Sequence, residues 1–214
     1  MPDYLEQALK LAGTNVTVEA KAQLEVFTAE LLKWNKKLNL TAITDLKGIS
    51  AKHIVDSLLI SYLIDNKSLI LDIGSGAGFP GIPLGITRAD LEVISVDAVA
   101  KKIQFQKHIV RLLALLKFNP IHSRIEDLDK IYTGKFDVIV SRAFTSLGHF
   151  AEISKPFMKP NGKIIAMKGP GAFEEIAAAA KTLANLNLMV VDQKVFKLPF
   201  DSGERTVIIL KDAG

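Results

Sequence analysis

The run Ser68-Leu-Ile-Leu-Asp-Ile-Gly-Ser-Gly-Ala-Gly-Phe-Pro-Gly-Ile-Pro83 reads as a buried strand, a glycine turn and the opening of a helix. Residues 69–73 are an almost unbroken apolar run, the pattern of a central strand covered on both faces of a parallel sheet. Gly74, Gly76 and Gly78 carry no Cβ, so the backbone there can turn sharply and come close to a ligand. Pro80 and Pro83 lack amide donors, which the first turn of a helix can spare. In an open α/β sheet, ligands sit at the carboxyl ends of the strands, where this turn falls.

A dinucleotide fingerprint, G-x-G-x-x-G, needs glycine where this chain has Phe79. The glycines fall instead as G-x-G-x-G after Asp72, which resembles the first motif of class I S-adenosylmethionine (SAM) methyltransferases. The second expected feature is an acid ending the next strand, placed to accept from ribose hydroxyls. Leu91-Glu-Val-Ile-Ser-Val-Asp97 supplies it in Asp97, about 20 residues on. A purely structural turn is the alternative; the flanking strand, the helix and Asp97 together favour the cofactor.

The 214 residues suit one domain with at most a small appendage, and are enough for a sizeable core. With 49% hydrophobic and 23% charged residues, the composition is that of an ordinary globular protein. No apolar run reaches bilayer-spanning length, and Met1-Pro-Asp-Tyr-Leu-Glu6 lacks the regions of a signal peptide, so a cytoplasmic protein is expected. The absence of cysteine removes disulfides, thiolate metal sites and a cysteine nucleophile. The net charge of +4 permits a polyanionic partner without establishing one.

Along the chain, residues 4–12 read as a short helix stopped by Gly13. Thr17 caps a longer one to about Leu38, with Leu24, Phe27, Leu31 and Trp34 on an apolar face. The basic stretch around Lys33-Trp-Asn-Lys-Lys37 has two readings: packed Trp34 and Leu38 with solvated lysines, or a face toward a phosphate backbone. The pattern favours the first. Residues 45–64 form a helix or pair of helices in which His53 and Asp56 share a face, a spacing more often a local hydrogen bond than a catalytic dyad. The other histidines, His108, His122 and His149, lack ligand spacing, so no metal is expected.

After the glycine turn, strands and helices alternate. Strands are expected at residues 91–96, from Ile121, and at 136–141, 163–167, 188–196 and 206–210. Helices are expected at 98–117, 147–158 and 172–186, with a turn at Lys159-Pro-Asn-Gly162. This pattern predicts an α/β fold with a doubly wound, mostly parallel sheet ending in an antiparallel hairpin, as in class I SAM methyltransferases. The helical N-terminus, residues 1–66, is the candidate for a separate layer on a 67–214 methyltransferase domain.

Ligand chemistry should gather in the loops after the first four strands. Glu126 or Asp127 either accepts from an adenine amino group or is solvated surface. Amine methyltransferases typically carry Asn/Asp-Pro-Pro-Tyr/Phe in the fourth loop, and this chain has Ser141-Arg-Ala-Phe144. Cytosine C5 methylation needs the missing cysteine. Guanine N7 is attractive, because its lone pair is exposed and carries no proton, so in-line positioning suffices without a general base. Phe144 either stacks on the base or is core, and Arg142 either binds a ligand or forms a salt bridge.

Taken in order, Trp34-Asn35, Asn39-Leu-Thr41, His53-x-x-Asp-Ser57, the Asp72–Pro83 run, Ser123-Arg-Ile-Glu126, Ser141-Arg-Ala-Phe144, Lys168-Gly169 and Gly203-Glu-Arg205 resemble the RsmG (GidB) family across nearly the whole chain. The resemblance implies a SAM-dependent methyltransferase acting on guanine N7 of 16S ribosomal RNA. It also implies cofactor contacts from Gly74, Phe79 (often Leu in the family), Ile125, Glu126 and Arg142; Gly76, Gly78 and Asp97 come from the loop reading. Asn39, His53, Arg142 and Lys168 match polar family positions, which the resemblance implies face the transfer pocket, with roles unassigned. The expected partner is 16S RNA or the small subunit, with no membrane and no metal, the protein acting as a monomer. The competing readings are a small-molecule methyltransferase, with RNA-independent turnover, and a nucleotide-binding module without turnover.

Overall fold

The computed structural model describes residues 3–142 and 146–214. Alternate residues of the central strands feed two separate cores, because successive side chains leave a strand on opposite faces. Ile70, Val138 and Ile165 point into one, while Leu71, Ile139 and Ile164 point into the other. The strands are β1 (Leu69–Ile73), β2 (Glu92–Asp97), β3 (Phe118–His122), β4 (Phe136–Arg142), β5 (Met158–Lys168), β6 (Leu188–Lys197) and β7 (Glu204–Asp212). They form one sheet in the order β3-β2-β1-β4-β5-β7-β6, parallel except for β7. The expected final hairpin is present, and its second strand slots between β5 and β6.

The first core is covered by α1 (Tyr4–Leu11), α2 (Val18–Leu38), residues 46–58, α5 (Gly81–Thr87) and α6 (Ala100–Leu112). The second lies under α7 (Leu147–Ser154) and α8 (Ala172–Asn185). Thr17 caps α2 by accepting from the Ala20 amide, and Asn39 ends it in a left-handed turn at φ 48°. The N-terminal helices share their core with the sheet: Leu9, Leu24 and Phe27 belong to the cluster of Ile70 and Val138. Arg88 ties the two regions together, donating to the carbonyls of Ser61 and Ile64 and pairing with Asp90 at 2.8 Å.

Four local expectations are revised. Residues 46–58 are α3 (Leu46–Ile49) and α4 (Asp56–Leu58) joined through a π-helical turn, Ser50–Val55. Such turns insert a residue into the ladder and re-aim neighbouring side chains. β3 starts at Phe118 despite Pro120, which an edge strand tolerates. α6 stops at Leu112, and Ala114 takes a positive φ of 50° just beyond it. Residues 159–162 form an excursion inside β5, between the pairings Phe136–Met158 and Val138–Lys163.

Candidate active site

The carboxyl ends of β1 and β4 adjoin at the centre of the sheet, where the strand order reverses and a crevice opens. The loop after β1 is pinned there by the amide of Gly74, which donates to the Val96 carbonyl at 2.8 Å. Asp97 completes the anchoring: Oδ2 accepts from the Gly76 amide and Oδ1 from the Val99 amide, each at 2.8 Å. Each oxygen keeps a lone pair for a diol. A cleft of about 280 Å³ runs from this carboxylate between Gly74, Ser123, Ile125 and Glu126. Sequence positions far apart are thus gathered around one opening, with the Glu126 carboxylate exposed and Ile125 buried beneath it.

The glycines divide the labour. Gly78 (φ +96°) has no room, since a Cβ would lie 2.3 Å from Ile82 Cδ1. Gly76 (φ +60°) has no atom of the described residues within 4 Å of its would-be Cβ, so its bare backbone is available for a ligand's close approach. These features fit SAM: a diol acceptor, a glycine cradle and an apolar floor. Gly76→Ala is expected to cost about 1 kcal/mol of stability through its left-handed backbone. Its larger effect should be a roughly tenfold weaker SAM affinity by titration calorimetry, from crowding of the cradle.

Beyond the loop lies a compact cluster. Phe79 is 3% exposed, its ring 4.5 Å from His53, 5.2 Å from Phe27 and 4.9 Å from the Arg142 guanidinium. The Arg142 Nη1 donates to the Lys52 carbonyl at 2.7 Å and reaches Asp56 Oδ2 at 3.3 Å. Arg205 clamps the same carboxylate with Nε and Nη2 at 2.7 and 2.8 Å. His53 and Asp56 therefore serve different partners. The imidazole Nε2 meets the Thr41 hydroxyl at 2.7 Å, and Nδ1 meets the Lys52 carbonyl at 3.1 Å. The carbonyl can only accept, so Nδ1 carries the proton and Nε2 accepts from Thr41. Thr41 is itself held by Asn35, which bonds both its amide and its carbonyl at 2.9 Å.

The remaining candidates are more scattered. Asn39 is exposed at the end of α2, beside Lys36 and Thr44. Lys168 is buried at the end of β5 and pairs with Glu175 of α8 at 2.7 Å. Phe144 lies outside the described residues. Trp34 packs as the pattern favoured, stacking on His108 at 4.9 Å and donating to Glu30. Asp56 and Arg205 received no site role from the sequence. The available signal was a charge inside the apolar run Ile54-Val55-Asp56-Ser57-Leu58, which can be buried only with a partner. Among the described residues no cluster of metal-ligating side chains occurs.

Burial moves a carboxyl and an imidazole of the site far from their ordinary pKa values. Burial pushes the Asp72 carboxyl up to about 7, against the pull of the Gly81 amide and of Arg142. Its Oδ2 accepts from Gly81 at 2.9 Å, and Oδ1 is buried without a partner among the described residues. Burial, reinforced by Arg142, draws His53 down to about 3, so the ring is neutral at physiological pH. The signs oppose. Folded Asp72 holds its proton where the unfolded residue has lost it, so its contribution to stability falls as pH rises from about 4 to 7. His53 stays neutral where the unfolded ring is charged, so its contribution rises from about 3 to 6.5. Asp72→Asn removes the first arm. The variant should gain on the order of 2 kcal/mol relative to wild type between pH 4 and 7, read by denaturant unfolding at each pH.

This fold, with a glycine loop and an acid-ended second strand at its central crevice, defines a class I SAM-dependent methyltransferase. Solved structures share it: M. jannaschii TYW2 in complex with AdoMet has a TM-score of 0.61 at 16% identity, covering 79% of this chain and 77% of that one. A SAM-dependent methyltransferase from Aquifex aeolicus gives 0.60 at 17% identity, over 84% and 97%. The sequence model of the family described as GidB, rRNA small subunit methyltransferase G, matches residues 20–205. The ribosomal RNA small subunit methyltransferase G of Geotalea uraniireducens is 44% identical over 199 residues, 93% of this chain and 91% of that protein. That of Streptococcus agalactiae serotype III is 38% identical over 215 residues, covering 98% and 91%. The chain belongs to the rRNA small subunit methyltransferase G family.

Proposed function

We propose that the protein transfers a methyl group from SAM to N7 of a guanine in 16S ribosomal RNA, in the cytoplasm, with residues 1–66 as a helical layer on the 67–214 catalytic domain. The observation that carries the choice of N7 is the state of His53. The imidazole at the site is neutral and both its nitrogens are engaged, by Thr41 and by the Lys52 carbonyl. It is therefore built as a fixed wall rather than as a proton acceptor. N7 of guanine carries no proton, so a site whose imidazole is locked in hydrogen bonds and whose near-neutral carboxyl, Asp72, is wholly buried beneath the loop suits it, whereas an amine or hydroxyl acceptor must lose one.

When bound, SAM supplies an electrophilic methyl group. Asp97, Gly76, Ile125 and Glu126 would hold it in the strand-end cleft, and Arg142, resting on Phe79, would orient a ligand group beside it. The rate then comes from alignment of the lone pair with the methyl group. The test uses tritiated SAM with 30S subunits, 50S subunits and free ribosomal RNA from a strain lacking the modification. Label should enter small-subunit RNA alone, at a base that borohydride and aniline convert to a strand break, as N7-methylguanine requires. Label on a small-molecule acceptor, or on another guanine atom, overturns the proposal.

A further inference from the structure

We infer that Asp56 is a positioning residue for Arg142, and that Arg205 holds Asp56 in place for that purpose. Three distant segments meet here: the turn out of the π-helix, the end of β4 and the start of β7. Asp56 is fully buried, so its carboxylate is stable only when paired. Arg205 supplies a two-pronged clamp through Nε and Nη2, which fixes the plane of the carboxylate. Arg142 then meets that plane with one nitrogen only, Nη1, which also donates to the Lys52 carbonyl. Its Nε and Nη2 make no hydrogen bond among the described residues, while the Phe79 ring lies 4.9 Å from the guanidinium carbon.

One end of the fork is thus tied and its neighbour lies against a ring, leaving a two-donor edge that meets no acceptor among the described residues and is offered to a ligand. Two guanidinium groups on one carboxylate also leave a surplus positive charge in a nearly dry place. Without Asp56, Arg142 and Arg205 would repel one another and Arg142 would lose its reference point. Asp56 therefore acts through Arg142 and touches no reacting atom.

The inference rests on Arg142 serving the bound ligands, as the proposed function has it. The experiment is a double-mutant cycle on the full chain with Asp56→Asn, Arg142→Ala and both together. Two quantities are read: SAM affinity by calorimetry without RNA, and kcat/KM for 30S subunits. Asp56→Asn should reduce whichever quantity Arg142→Ala reduces, by about tenfold, and add under about twofold in the Arg142→Ala background. A merely structural Asp56 would cost the same factor in both backgrounds, and that result overturns the inference. So does an Arg142→Ala variant that alters neither quantity. If Asp56→Asn does not fold, Arg205→Lys takes its place: it keeps the charge but loses the clamp, and should show the same background dependence at smaller size. SAM affinity is read without RNA, so an error about which base is methylated leaves that arm of the cycle unaffected.

Discussion

Asp97→Ala should weaken SAM binding by about a hundredfold while leaving the chain folded. The carboxylate holds two backbone amides at once, Gly76 on the loop after β1 and Val99 before α6, each at 2.8 Å. A ribose diol would use its remaining lone pairs. Hydrogen bonds to a charged acceptor contribute about 1.5–3 kcal/mol each, so losing even part of this set reaches two decades in affinity. Asp97→Asn should fall between, since an amide NH2 cannot accept and one backbone donor is left facing it. Calorimetric titration of each variant with SAM reads the effect directly. An Asp97→Ala protein that binds within threefold of wild type would show that the carboxylate serves only to hold the loop.

That site was largely legible in the sequence, and for a physical reason. Strand, glycine turn, helix and strand-end acid are all local features, set by hydrophobic runs and by which residues tolerate a positive φ, as Gly74, Gly76 and Gly78 do. The charge network was not legible. Arg205 lies 149 residues from Asp56, and only the slotting of β7 beside β5 brings them together. Nor does periodicity reveal the π-helical turn, because one inserted residue changes which side chains face inward without altering composition. That turn precedes Asp56 and carries the Lys52 carbonyl that Arg142 and His53 share. The resemblance drew attention to Phe79 as a cofactor contact; the packing of its ring against Phe27, His53 and Arg142 was not legible. The apolar face of α2 was readable, but not that Phe27 on it backs the site.

Phe27→Ala should therefore do two separable things. Phe27 is fully buried, with its ring 5.2 Å from Phe79 and 6.0 Å from Phe105. Truncating a buried phenylalanine costs about 3–5 kcal/mol, a large share of a typical domain's stability, and should lower Tm by on the order of 10 °C. The cavity also opens directly behind Phe79, the ring on which Arg142 and His53 rest. Methyl transfer per folded molecule should then fall about tenfold, even well below the new Tm, because interiors relax only partly around a void. The control is Phe136→Ala. Phe136 is equally buried, but in the opposite core at the start of β4, far along the strand from Arg142. It should lose comparable stability and keep its activity when folded. If both variants lose activity in proportion to their unfolded fraction, the N-terminal helices only stabilise the sheet. If Phe27→Ala alone loses activity while folded, the N-terminal helices are part of the catalytic apparatus, reaching the site through Phe79.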